Sequence, residues 1–130
     1  MSQKNNSLTG NEHFISLTAA AGMTKAYRTS LPRLLQPDFQ QAGALALSET
    51  FDRRAIDALL AQPGCAGIRI YYGLDEHLKI HAVLVGVDAT NADILASATG
   101  RTVADADDEI IVEMAQRCPD ECPPPSPLNS

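Results

Sequence analysis

Alternation of apolar and polar residues predicts a β-hairpin in the middle of the chain. In the run IRIYYG, residues 68–73, successive side chains point to two different faces, as they do on a strand. A second alternating run covers residues 78–87, and the residues 73–77 between the runs have the length and composition of a hairpin loop. The second run ends in VLVGV, which is apolar on both faces. We therefore predict strands at about 68–74 and 78–87, the later one covered on both sides in its second half.

A helical period predicts three amphipathic helices packed around this hairpin. Thr9 and Glu12 form a capping-box pattern before the first helix. Pro32 is expected to end that helix, because the residue before a proline avoids helical dihedral angles. Acidic residues at 105–109 suit the positive N-terminal end of the last helix. The predicted helices cover about residues 10–31, 52–62 and 104–117. With the hairpin they predict an α+β fold with a small antiparallel sheet.

Shorter segments complete the predicted order of elements. Residues 34–41 are interpreted as irregular, with room for a helical turn, and residues 42–51 as a strand rather than a helix. A turn is expected at 88–93, followed by a third strand at 94–98. In the helix at 52–62, which Pro63-Gly64 should terminate, three residues are expected to share the buried face: Ile56, Leu59 and Leu60.

The length of the chain favours one domain. A protein of 130 residues can bury roughly two thirds of its unfolded surface. We expect residues 1–8 to be flexible and residues 9–117 to form a single α+β domain. The proline-rich tail at 118–130 cannot form regular structure, but it could lie extended along a surface.

The charge distribution argues against nucleic acid as a partner. The net charge is −6, and residues 65–130 hold four basic and eleven acidic residues. The tight basic pair Arg53 and Arg54 lies among acidic residues, so the sequence offers no cluster to neutralise phosphates. No run reaches the roughly 18 apolar residues of a membrane span, and the N-terminus lacks an apolar signal region. Three cysteines fit reduced thiols, so we expect a cytoplasmic protein.

Three motifs resemble those of a family of small, uncharacterised bacterial domains. The motifs are Met23-Thr24-x-x-Tyr27-Arg28, the segment Gln62-Pro63-Gly64-Cys65 with the strand IRIYYG, and the strand end LVGVD at 84–88. A cysteine- and proline-containing tail, Cys118-Pro119 through Cys122-Pro123, extends the resemblance. It implies a small α+β domain, and it implies no activity, substrate or catalytic residue.

Several polar side chains near the hairpin are candidates for a site. Arg69 and Tyr71 share the outer face of the first strand, and His81 is placed on the same face of its neighbour. They could bind an anionic or planar ligand, or a partner protein, since Arg and Tyr are enriched at interface hot spots. His77 and His81 are candidate metal ligands. Four residues apart on a strand they lie about 13 Å apart, so a solvated hairpin tip is the simpler interpretation.

The three cysteines offer a second kind of chemistry. Cys118 and Cys122 could pair as a disulfide or share a metal ion. Free thiols are favoured, because an extended chain would hold the two sulfur atoms too far apart to bond. Cys65 follows a helix C-terminus, whose negative end disfavours a reactive thiolate, so we expect a buried packing role.

These observations favour a non-enzymatic protein-interaction or self-assembly module, which associates through a strand edge or an apolar sheet face. The expected partner is a second copy of the chain or another protein. One alternative is a small metal- or thiol-dependent enzyme using Cys65, His77 and His81. Another is a small-molecule binder built on Arg69 and Tyr71. No nucleotide-binding motif is present, and no cofactor is predicted.

Overall fold

The described residues form an α+β fold, as predicted from the sequence. A computed structural model describes residue 8, residues 13–95 and residues 110–129. Within these residues there are three helices and two small antiparallel sheets, one with strand order β1-β5 and one with order β2-β3-β4. The elements are α1 (Leu17–Leu34), α2 (Pro37–Ala42), β1 (Ser48–Thr50), α3 (Arg53–Leu60), β2 (Cys65–Leu74), β3 (Ile80–Asp88), β4 (Ile111–Val112) and β5 (Gln116–Cys118).

The described residues divide into two compact units. The first unit contains residues 51–72, 82–95 and 110–114 together with Leu8, and the second contains residues 13–50, 73–81 and 115–129. No helix within the described ranges is both long enough and apolar enough to cross a membrane.

The core of the first unit lies between α3 and the three-stranded sheet. Leu59 of α3, Leu84 of β3 and Val112 of β4 form its buried cluster. β3 is the central strand, and its residues Leu84–Val87 are all buried. The prediction that the second half of this strand is covered on both faces is therefore confirmed. The hairpin is confirmed as well, although β2 begins three residues earlier than predicted and β3 begins two residues later.

Helix α3 is confirmed, with one error in its buried face. The Asp52 side chain accepts a hydrogen bond from the Arg54 backbone N–H at 2.8 Å, which starts the helix in the usual way. Leu59 is fully buried, whereas 49% of Leu60 is exposed. Successive helical residues point about 100° apart, so one of two adjacent leucines is turned away from the core.

Helix α1 begins and ends later than predicted. Its N-cap is Ser16, whose side chain accepts from the Ala19 N–H at 3.0 Å, and residues 13–16 are not helical. The proposed capping box at Thr9 and Glu12 lies outside the described residues. Pro32 does not end the helix, because it lies in the last turn, where one missing N–H removes a single hydrogen bond. The Gln40 side-chain amide donates to the carbonyl oxygens of Pro32 and Leu35 and so satisfies acceptors at this end.

The segment from 34 to 51 is partly helical. Helix α2 occupies Pro37–Ala42, and Gly43 caps it in the left-handed conformation with φ +67°. The strand expected at 42–51 is limited to Ser48–Thr50, which pairs with β5 through Ser48↔Cys118 and Thr50↔Gln116.

The helix predicted at 104–117 is wrong over its described part. Residues 101–109, including the acidic run, lie outside the described residues. From residue 110 onward the chain forms β4 and β5, with Met114 between them at φ +70°. β4 pairs with β3 through Leu84↔Val112 and Val85↔Ile111. Of the three apolar residues that suggested a helical face, Ile110, Ile111 and Met114, only Ile111 lies in a strand, and its pairing with β3 overrides the local helical period.

The turn at 88–93 is confirmed, and its cap is Asp88. One carboxylate oxygen of Asp88 accepts from the backbone N–H groups of Thr90 and Ala92 at 2.9 and 3.0 Å. After the turn, Asp93 forms a single antiparallel bridge with Val87. The third strand predicted at 94–98 falls largely outside the described residues.

Candidate functional site

Arg69 and Tyr71 share a face of β2, as predicted, and both contact Asp93. The Arg69 guanidinium forms an ion pair with one carboxylate oxygen of Asp93, and the Tyr71 hydroxyl donates to the other oxygen at 2.5 Å. Arg69 also donates to the backbone carbonyl of Asn91 at 2.8 Å and to the side-chain oxygen of Asn91. The two candidate ligand-binding residues therefore bind the turn that follows β3.

Electrostatics in this cluster follow from the Asp93 carboxylate. Arg69 and Tyr71 each donate a hydrogen bond to this carboxylate. These bonds raise the pKa of the Arg69 guanidinium and the pKa of the Tyr71 phenol, because the negative charge favours the protonated form of each group. Sequence reasoning missed Asp93 and Asn91, although the turn signal at 88–93 indicated a chain reversal. That chain reversal places Asn91 and Asp93 in contact with Arg69 of β2.

The third candidate on the hairpin, His81, contacts a carboxylate at the hairpin tip. His81 Nε2 and Asp75 Oδ2 lie 2.7 Å apart. The other oxygen of Asp75 accepts from the backbone N–H groups of His77 and Lys79 at 2.8 and 3.0 Å. Asp75 thus closes the loop between β2 and β3 and orients the His81 ring.

Hydrogen bonding lowers the pKa of Asp75 to about 2, from an ordinary value of 3.8. The Lys79 backbone N–H is the main cause, and the hydrogen bond from His81 is the next. Both favour the charged carboxylate over the neutral acid.

We expect this low pKa to make the hairpin tip sensitive to acid. Because the folded-state pKa lies below the ordinary value, the stabilisation from Asp75 is fully present above pH 3.8 and is lost as the pH falls toward 2. A carboxyl-carbon NMR titration should show a midpoint near 2 for Asp75. Asp75→Asn serves as the assignment control and should flatten the dependence of unfolding free energy on pH in this window. A midpoint at 3.8 or above would contradict the expectation.

His77 lies at the exposed tip, with 76% of its side chain accessible, and its ring is 3.7 Å from the neighbouring Glu76 carboxylate. Across residues 13–95 and 110–129, no three or more His, Cys, Asp or Glu side chains are grouped so that they could hold a metal ion.

Cys118 and Cys122 form a disulfide bond, so the preference for free thiols is wrong. Their Cα atoms are 4.4 Å apart. The chain between them turns instead of extending, because the Glu121 N–H donates to the Arg117 carbonyl at 2.7 Å. That turn removes the separation on which the expectation of free thiols was based. Cys65 is a free, half-buried thiol, and its Sγ donates to the Gly67 carbonyl at 3.3 Å.

The disulfide lines a groove of about 790 Å³ within the second unit. Helix α1 contributes Thr24 and Arg28 to it, and the start of β1 contributes Ser48 with the preceding Leu47. The C-terminal segment contributes the largest share: Cys118, Cys122, Pro123, Pro124, Pro125, Ser126, Leu128 and Asn129. No sequence pattern indicated this groove, because its lining comes from three distant parts of the chain.

Hydrogen bonds hold the C-terminal segment in place beside helix α1. Arg28 Nη1 donates to the Leu128 carbonyl at 2.9 Å. Asn129 donates to the Pro124 carbonyl at 3.0 Å and accepts from the Ser126 N–H at 2.8 Å. The tail is therefore anchored within its own unit, although none of residues 119–129 lies in a helix or strand.

Strand β2 presents apolar side chains at the edge of its sheet. It is ten residues long and stands at one end of the strand order β2-β3-β4. Ile68 packs against the core of the first unit, and Ile70 and Tyr72 continue the same face. Ile70 is 50% exposed and Tyr72 is 77% exposed.

Comparisons with known proteins add no assignment to these features. No protein-family model, curated protein or solved structure matches the chain. The resemblance to small bacterial domains stays a prediction.

Proposed function

We propose that this protein is a non-enzymatic self-assembly module in which β2 pairs with β2 of a second copy along the edge that no described strand occupies. The observation that carries the proposal is the position of this strand. β2 is a long edge strand with exposed apolar side chains, among them Ile70 and Tyr72, on the face that continues from the core. An edge of this kind is a ready template for another strand, since its outward N–H and C=O groups need partners.

Protective features common on edge strands are missing from the sequence of β2. Natural edges are blunted by prolines, by lysines or by short length. CAGIRIYYGL contains neither proline nor lysine, and Arg69 is its one charged residue. The ion pair of Arg69 with Asp93 offsets even that charge.

The strand is also compatible with pairing to itself. A twofold axis perpendicular to the sheet runs two copies of β2 antiparallel, so each residue faces a different residue unless it lies on the axis. With the axis at Ile70, Arg69 faces Tyr71 of the second copy and Ile68 faces Tyr72. No two like charges then lie opposite each other, and the aromatic–aliphatic pairs are of a kind that stabilises sheets.

Self-association should be weak and should depend on the edge. One strand pair with a few apolar side chains is at the lower end of interface sizes, so we expect a dimer with a micromolar dissociation constant. In Ile70→Lys, the new lysine charges of the two copies face each other at the axis, and the protein should be monomeric in sedimentation equilibrium at concentrations where the wild type is dimeric.

Leu60→Lys is the matched control for this experiment. Leu60 is exposed to nearly the same extent, 49%, in the same unit, but it lies on α3. The control should dimerise like the wild type. A wild type that stays monomeric at every concentration, or equal weakening by the two lysine substitutions, would rule out the β2 edge as the assembly surface.

A further inference from the structure

We infer that the disulfide between Cys118 and Cys122 is a thiol-exchange site, at which a small dithiol opens the bond and so releases the proline-rich segment from helix α1. This inference is independent of self-assembly through β2, because both cysteines lie in the second unit, whereas β2 belongs to the first unit as far as Tyr72. Three observations support it: the two cysteines differ in exposure, the bond closes a short loop, and the segment after the bond is restrained at its ends.

The two cysteines of the bond differ in their exposure to solvent. Cys118 is 6% exposed and lies in β5, where it pairs with Ser48 and its carbonyl accepts from the Leu47 N–H at 2.9 Å. Cys122 is exposed and lines the groove. Thiol–disulfide exchange requires that a thiolate reach one of the two sulfur atoms. The attack is therefore directed to the Sγ atom of Cys122, and Cys118 is the leaving group.

The exchange consists of two displacements. In the first, a thiolate of the dithiol forms a bond to Cys122 Sγ while the bond to Cys118 breaks, and Cys118 leaves as a thiolate that takes up a proton. In the second, the other thiol of the reagent loses its proton and attacks the reagent sulfur bound to Cys122, which leaves as a thiolate and is protonated in turn. The dithiol is oxidised by two electrons to a cyclic disulfide, and the protein disulfide is reduced to two thiols.

The loop that the bond closes is short, so the fold should survive its opening. The two cysteines are four residues apart, and a short loop restricts the unfolded chain less than a long one. The pairing of β5 with β1 involves residues 116–118, which precede the loop in the chain. Reduction should therefore change the segment after Cys118 and leave the paired strands in place.

The proline-rich segment is restrained at both of its ends. Pro123, Pro124 and Pro125 have no backbone N–H groups, so this stretch cannot hold its position with hydrogen bonds that it donates. The disulfide fixes the residue before the prolines, and beyond them the Leu128 carbonyl accepts from Arg28 of α1 at 2.9 Å. Opening the bond removes the covalent restraint, so the prolines should leave their position in the groove.

The rate of reduction in native buffer tests the exchange site on the wild-type protein. Dithiothreitol is added with and without denaturing urea, samples are quenched with excess iodoacetamide, and the labelled cysteines are counted by mass. We expect the rate in native buffer to lie within about tenfold of the rate in urea, because Cys122 is exposed in the folded protein. A greater retardation in native buffer would mean that the bond opens only on unfolding, and it would overturn the proposal.

Two matched variants test which sulfur atom is attacked. Cys65→Ser/Cys118→Ser retains Cys122 alone, and Cys65→Ser/Cys122→Ser retains Cys118 alone. With oxidised glutathione as the probe in native buffer, Cys122 should react at least about tenfold faster than Cys118, and the two should react equally in urea. A smaller ratio in native buffer would refute attack at Cys122.

Amide NMR spectra of the wild type before and after reduction test the release of the segment. The signals of Thr24 on α1 and of Leu128 should shift, because both residues line the groove. Those of Leu84 and Val112, in the core of the first unit, should stay unchanged. Unchanged signals at Thr24 and Leu128 would mean that the segment keeps its place, and shifts at Leu84 and Val112 would mean that reduction unfolds the protein. Either result would overturn the inference.

Discussion

Replacing Leu59 by alanine is expected to lower the free energy of unfolding by about 2–5 kcal/mol. The Leu59 side chain is completely buried and packs with Leu84 and Val112 in the core of the first unit. Alanine removes three carbon atoms and leaves a cavity, and neighbours held on a helix and two strands can fill it only in part.

The adjacent Leu60→Ala substitution is the control, because it changes the same atoms in the same helix. Leu60 is 49% exposed, so its truncation should cost less than about 1 kcal/mol. Urea denaturation followed by far-ultraviolet circular dichroism measures both values, since the chain has no tryptophan. Equal losses for the two variants would mean that Leu59 is not the centre of this core.

Removing the disulfide is expected to cost about 2 kcal/mol of unfolding free energy, the value for closing a loop of about five residues. Cys118 and Cys122 are four residues apart, so the bond restricts only a short part of the unfolded chain. The double variant Cys118→Ser/Cys122→Ser should show this loss in urea denaturation. Cys65→Ser should change stability far less, because Cys65 is a free thiol and serine can still donate to the Gly67 carbonyl.

The bond itself is checked by alkylating the denatured protein without a reductant and measuring its mass. One label, on Cys65, is expected before reduction, with all three cysteines labelled afterwards. Three labels before reduction would contradict the disulfide. A disulfide fits an oxidising compartment better than the cytoplasm that the cysteine count suggested, because thiols are kept reduced in the cytosol. The cytoplasmic location predicted from the sequence stays a prediction, and the disulfide argues against it.

The candidate residues show how far sequence reasoning reaches at a site. The alternation of β2 was enough to place Arg69 and Tyr71 on one face. Their partner Asp93 lies beyond the next strand, and no local pattern pairs it with Arg69. The contact of His81 with Asp75 was nearer in sequence, but the loop conformation that brings the two together depends on hydrogen bonds to His77 and Lys79.

Local pattern alone was sufficient for the hairpin, for α3 and for the turn after β3. Each of these elements is stabilised by contacts between residues close in sequence, so its period, caps and turn residues contain most of the information that specifies it.

Tertiary structure decided the C-terminal part of the chain. Residues 110–118 carry apolar positions that fit a helix, yet they contain the strands β4 and β5, because β3 and β1 offer partners. Backbone pairing together with burial of Val112 and Cys118 outweighs the local preference. The disulfide and the groove depend on the same long-range pairing, because β5 positions Cys118 beside β1 and so brings the proline segment to helix α1.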